Sequence, residues 1–184
     1  MADLETRSVQ LDARAIEGYA VVWNSRSLAL PLGNGKSFTE LVAPGAFTSS
    51  LATRSQALLW EHDRSRPLAT VRAGTLELAE DGTGLRFKAD LPDTNDGRDA
   101  RTMVEDGILD QLSFGFRVER DTWHGAERTI HAAELIEISL VHDPAYPDTS
   151  AVLRSLSHAA ASRLVAMRLR HWRQLLRRQS PWRH

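Results

Sequence analysis

Alternation of apolar and polar residues is the main pattern over the first 150 or so positions, and it predicts a β-rich body. Ile16 to Trp23 is a short apolar run that ends in the polar stretch Asn24–Ser27, and Ala57 to His62 is a compact run leading into Asp63. Both read as strands. Residues 74–90 read as a hairpin. Leu76 and Leu78 alternate on one arm, Leu85 and Phe87 on the other, and residues 80–84 (Glu-Asp-Gly-Thr-Gly) supply the turn. Gln111 to Glu119 and Glu134 to His142 alternate strictly, while Pro144 and Pro147 end the β-rich body. Two short helices interrupt the strands. One opens at Pro44-Gly45-Ala46-Phe47 and runs to about Leu51; the other runs from Gly97 to Glu105, with Asp96 as N-cap and Gly107 closing it. Residues 31–37, with Pro31, Gly33, Asn34 and Gly35, read as a loop.

The last thirty residues follow a different rule. Leu156, Leu164, Met167, Leu169, Trp172, Leu175 and Leu176 recur among alanines and arginines, which predicts a basic amphipathic helix over 155–184. Residues 151–184 hold eight arginines and no acidic side chain, so the overall net charge of −1 hides an acidic body and a basic tail. The division is therefore 1–154 for the β-rich domain and 155–184 for the tail. The chain has no cysteine, which excludes disulfides, thiolate metal sites and a cysteine nucleophile. Its N-terminus, Met1-Ala2-Asp3-Leu4-Glu5, is acidic where a secretory signal is basic and then apolar, and no apolar run is long enough for a membrane span. Synthesis and action in the cytoplasm, with no membrane partner, is the expectation.

Three residues carry candidate chemistry. On the alternating strand 111–119, Leu112, Phe114, Phe116 and Val118 face a core, and Gln111, Ser113, Gly115 and Arg117 face the other way. Ser113 is thus a hydroxyl on a rigid element, with Gly115 leaving room for a substrate backbone to approach. A solvent-facing serine beside a packing glycine is the plainer alternative. His62 shares a strand face with Leu58 and Trp60, a setting that keeps an imidazole neutral and able to accept a proton, unless it is a core histidine or a partner of Asp63. In the third strand Ile136, Ile138 and Leu140 lie on one face, and Leu135, Glu137, Ser139 and Val141 on the other. Glu137 is then a carboxylate among apolar neighbours, which requires a partner: an imidazole, or Arg117 or Arg72. A Gly-x-Ser-x-Gly elbow and a His-Glu-x-x-His zinc motif are both absent, and Gly33-Asn34-Gly35-Lys36-Ser37 lacks the spacing and context of a phosphate loop. A metal-dependent hydrolase with His62 and Asp63 as ligands is a rival reading that the spacings do not support.

Nine short segments in order change the picture. They are residues 18–24 (GYAVVWN), 44–47 (PGAF), 60–63 (WEHD), 74–76 (GTL), 81–85 (DGTGL), 91–92 (LP), 113–116 (SFGF), 137–141 (EISLV) and 144–146 (PAY). Together, from about 16 to 154, the chain resembles the phage prohead (capsid maturation) serine proteases, relatives of the herpesvirus assembly proteases. The resemblance implies a β-rich α+β fold, a herpesvirus-protease-like β-barrel with short surrounding helices. It also implies a serine endopeptidase without a cofactor. In it Ser113 is the nucleophile and His62 the general base. Glu137 is the choice for orienting acid, with His142 and Asp143 close by on the same strand. Glu61 departs from the pattern, which has an amide or small residue before the histidine. The implied substrates are the major capsid protein precursor with its scaffolding segment and the protease itself, cut inside the assembling prohead in the host cytoplasm. Self-association, and nucleic acid through the tail, are the further partner readings, and a catalytically inactive capsid-assembly module is the non-enzymatic alternative.

Overall fold

The computed structural model describes residues 15–53 and 55–153. In chain order the elements are β1 (Ala15–Val22), β2 (Leu30–Gly33), β3 (Lys36–Val42), α1 (Thr48–Leu51), β4 (Ala57–Trp60), β5 (Asp63–Thr70), β6 (Leu76–Glu80), β7 (Gly84–Asp90), α2 (Asn95–Glu105), β8 (Gln111–His124), β9 (Glu127–Val141) and β10 (Ser150–Leu153). They form two sheets. One has the order β10-β1-β7-β6; in the other, β2-β3-β9-β4-β5 run in sequence and β8 lies along β9. The inward faces of both sheets, with Ile16, Leu85 and Phe87 from the first and Leu58, Leu112 and Ile138 from the second, share one apolar core.

The β-rich reading holds, but the expected barrel does not. Among the described residues the sheets remain separate. β10 and β6 end the first, and β2, β5 and β8 each have neighbours on one side only. A barrel closes only when the last strand pairs with the first. The predicted helix over 155–184 lies outside the described residues.

Strand β9 organises the second sheet. Its start pairs in parallel with β3 (Leu41 opposite Thr129) and its end in parallel with β4 (Leu58 opposite Ile138). Along its other edge β8 pairs antiparallel over the full length. The strict alternation expected for 134–142 is broken by a bulge: Gly115 pairs with Glu137 and Phe116 with Leu135, leaving Ile136 unpaired. The extra residue shifts the facing of everything before it. Leu135 therefore joins Ile138 and Leu140 in the core, and the face assignment expected for Leu135 and Ile136 is corrected.

Other elements differ in detail. The stretch expected as a loop over 31–37 is a hairpin, turned at Asn34 and Gly35, both at positive φ (49° and 71°). Its polar composition conceals the strands. α2 starts at Asn95, with Thr94 rather than Asp96 as the cap, because the Thr94 hydroxyl accepts the Gly97 N–H at 3.2 Å. In the β6–β7 hairpin Asp81 Oδ1 accepts the N–H groups of Thr83 and Gly84, as the turn residues imply.

Candidate active site

The end of β9, flanked by β8 and β4, gathers the candidate chemistry. Opposite residues on paired strands share a face, with Cβ atoms roughly 4.5–5.5 Å apart. The pairs Ser113–Ser139 and Gly115–Glu137 therefore put Ser113, Ser139 and Glu137 on one face. The core lies on the other, where Leu112 and Phe114 are buried. Phe114 packs against Tyr146 (ring centroids 4.8 Å apart), Phe116 (5.2 Å) and the edge of Phe47 (6.1 Å), so aromatic packing holds the strand that carries Ser113.

Glu137 is almost wholly buried. Its two oxygens have separate partners: Oε1 lies 2.8 Å from His62 Nδ1, and Oε2 accepts the Ser139 hydroxyl at 2.5 Å. Charge-assisted hydrogen bonds of this kind offset the desolvation of a buried carboxylate. A carboxylate only accepts, so Nδ1 carries the proton and the Nε2 lone pair is left free to take one. The arginine alternative is not realised: Arg117 Nη1 donates to Glu134 at 2.6 Å. Nor does His62 pair with Asp63, whose carboxylate accepts the Ser65 N–H and hydroxyl; those two hydrogen bonds hold it below its ordinary range.

His62 reaches Glu137 by a turn. The expected strand to His62 stops at Trp60; Trp60 pairs with Asp63, and Glu61 and His62 form the two-residue connection, both at positive φ (46° and 61°). That is the backbone of a type I′ hairpin, which favours Asn and Gly. Here neither residue is of that kind, and left-handed backbone costs roughly 1–2 kcal/mol per residue. The turn carries His62 off the Leu58–Trp60 face, which is buried, and over to Glu137. The imidazole side chain is 48% exposed, so the expected shelter beside Trp60 is corrected. Arg66 stacks over Trp60 instead, 4.2 Å from the ring centroid, and its guanidinium holds Asp96 of α2 through two hydrogen bonds.

Gly115 also plays a part different from the one expected. A Cβ built on it would lie 2.6 Å from Glu137 Oε1, so the missing side chain makes room for the acid rather than for substrate.

The structure thus joins His62 and Glu137 and sets Ser113 on the same face. It records no hydrogen bond between the Ser113 hydroxyl and the imidazole; such contacts often tighten only with substrate bound. Ser139 was legible as a same-face neighbour of Glu137 but not as its partner. Glu61 and His142 form a second carboxylate–imidazole pair beside the first, with Glu61 Oε1 2.9 Å from His142 Nδ1, and spacing does not signal it. Among the described residues no cluster of three or more His, Asp or Glu is arranged for a metal ion, and no helix is long and apolar enough to cross a membrane.

The segment after β9 is tethered next to Ser113. Thr149 Oγ1 accepts the Leu112 N–H at 3.0 Å and donates to the Leu112 carbonyl at 2.6 Å, standing in for a further strand at that edge. Ser25 donates to Asp148 and the Leu28 N–H to the Ala145 carbonyl, while Tyr146 donates to the buried Glu40 at 2.8 Å.

The comparison with curated proteins returns no significant match. The family model for caudovirus prohead serine protease matches residues 2–162, the greater part of the chain and all of the described sheets. On that match the chain belongs to the caudovirus prohead serine protease family, a serine endopeptidase of phage capsid maturation.

Proposed function

We propose that Ser113, His62 and Glu137 form the catalytic triad of this endopeptidase. The observation that carries the reading is the 2.8 Å contact between His62 Nδ1 and Glu137 Oε1 on the sheet face that bears Ser113. Ser113 Oγ attacks the scissile carbonyl while His62 Nε2 takes its proton, and Glu137 stabilises the imidazolium that forms. His62 then returns the proton to the leaving amine. Water attacks the acyl-enzyme by the same route, with His62 again as base, and Ser113 is regenerated. Backbone N–H groups of Ala145, Tyr146 and Asp148, the non-proline residues of the 144–148 turn, are the inferred donors to the oxyanion, since Thr149 ties that turn to the residue preceding Ser113.

Family membership supports capsid proteins as the substrate class and the assembling prohead as the site of action. Within that class we assign the scaffolding segment of the major capsid protein precursor, and the protease itself, as the chains cut. The test is co-expression of the cognate capsid precursor with the intact protease or with Ser113→Ala, followed by mass spectrometry of the products. Trimming by the intact chain alone supports the assignment. Equal trimming by both makes Ser113 a structural residue and overturns it.

A further inference from the structure

The turn that presents His62 is strained at both of its residues, and something must hold it. Glu61 does so through three contacts to the strand that carries Glu137 or to the residue just after it. The Glu61 N–H donates to the Leu140 carbonyl at 3.0 Å. Its carboxylate Oε1 accepts the backbone N–H of His142 at 3.1 Å and lies 2.9 Å from the ring Nδ1 of the same residue. One oxygen thereby grips two donors, the backbone N–H and Nδ1, of a residue five positions beyond Glu137. His62 makes its own contact to Glu137, so the two turn residues are fastened to one strand at two points. The distance between the imidazole and its acid is then set by the rigid geometry of that strand.

We propose that the Glu61–His142 pair is a clasp that positions His62, making Glu61 a positioning residue for proton transfer in this enzyme. The proposal rests on the reading of His62 as the general base. The clasp is open to solvent: the His142 side chain is 72% exposed and that of Glu61 34%. Exposed ion pairs contribute little to stability. A contact of small value to folding, placed beside the base and on the strand that carries its acid, points to local geometry as its purpose. Without the carboxylate, a turn that lacks both Asn and Gly has less to keep it left-handed, and the imidazole swings away from Glu137.

The test uses the full chain with its cognate capsid precursor as substrate, in Glu61→Ala, Glu61→Gln, His142→Ala and Glu61→Ala/His142→Ala. Displacement of a reacting group by about 1 Å costs on the order of 100-fold, and a partial release predicts a fall in kcat of about 10- to 100-fold for Glu61→Ala with KM unchanged. Glu61→Gln keeps an acceptor oxygen and restores most of the rate, and the double variant is no slower than Glu61→Ala. A second readout is independent of turnover: the downfield Nδ1–H proton resonance of His62 broadens or disappears in Glu61→Ala and returns in Glu61→Gln. A Glu61→Ala enzyme with unchanged kcat and an unchanged His62 resonance overturns the clasp. Full cleavage by His62→Ala would instead overturn the assignment of the base, while the His62 resonance, compared between the natural chain and the Glu61 variants, would still report whether Glu61 holds the ring.

Discussion

Gly115 and Glu137 face each other across the β8–β9 ladder so closely that a methyl group on the glycine would fall 2.6 Å from the carboxylate oxygen that meets His62. The neighbour that would have to give way is the end of a side chain, and it can yield only by abandoning His62 or Ser139. The glycine is therefore a condition for the His–Glu pair and not a general convenience of the strand.

Gly115→Ala is accordingly expected to lower kcat by on the order of 100-fold, the scale of a misplaced catalytic group, while the chain still folds. Cleavage of the capsid precursor and thermal unfolding, measured on the same preparation, check this. In a Glu137→Ala background the same substitution should cost little further, because the contact it disturbs is already gone.

Glu137→Gln keeps the shape of the side chain but replaces an acceptor-only group with an amide that can also donate. The His62 ring is then free to take the wrong tautomer, which in serine-protease triads costs on the order of 10⁴-fold in kcat. Ser139→Ala removes only the second hydrogen bond to the acid, a charge-assisted one worth about 1.5–3 kcal/mol, and should slow cleavage less than the loss of the correct tautomer does. Ranking the two variants by kcat tests whether Glu137 is the orienting acid.

Tyr146→Phe probes the turn after β9. The phenol is buried against Glu40, and burial first, then the nearby carboxylate, pushes its ionisation well above the ordinary range. It therefore donates as a neutral hydroxyl at any pH the fold survives. Its loss leaves a buried carboxylate short of a donor, at a cost of about 1–3 kcal/mol, read by denaturant unfolding.

His142 carries a stability signature with a definite sign. Its hydrogen bond to Glu61, then the Glu61 charge, raise its pKa above the ordinary 6.5, with Asp143 adding a smaller contribution. The stabilisation is complete at pH below that ordinary value and is lost as pH rises through the raised one. The difference in Tm between the natural chain and His142→Ala should shrink from mildly acidic to mildly alkaline pH. A constant difference would show that the pair is not ionised as argued.

The alternation of 111–119 was legible because Leu112, Phe114, Phe116 and Val118 do line the core side, and it set Ser113 on the opposite face. The same argument misplaced Leu135, because a bulge at Ile136 leaves no mark in a run of isoleucine and leucine. The hairpin over 30–42 was missed for its polar residues, and the end of β4 at Trp60 because Glu-His does not look like a type I′ turn. Thr94 was passed over as a cap in favour of Asp96, since either residue type serves and only backbone geometry chooses.

The chain by itself determined the strand-rich character of the body and the faces of its most regular strand, and it offered Ser113, His62 and Glu137 as candidates beside plainer readings of each. Side-chain period is a local property, set by bonds between neighbours, so it can be read from neighbours. Only the tertiary structure decided that Glu137 belongs to His62 and not to Arg117, that Gly115 clears space for a carboxylate, and that Glu61 meets His142. Those relations join residues as far as 75 and 81 positions apart, through strand register, a bulge and a strained turn. Register depends on which strands pair and where, and the packing of the whole core settles that.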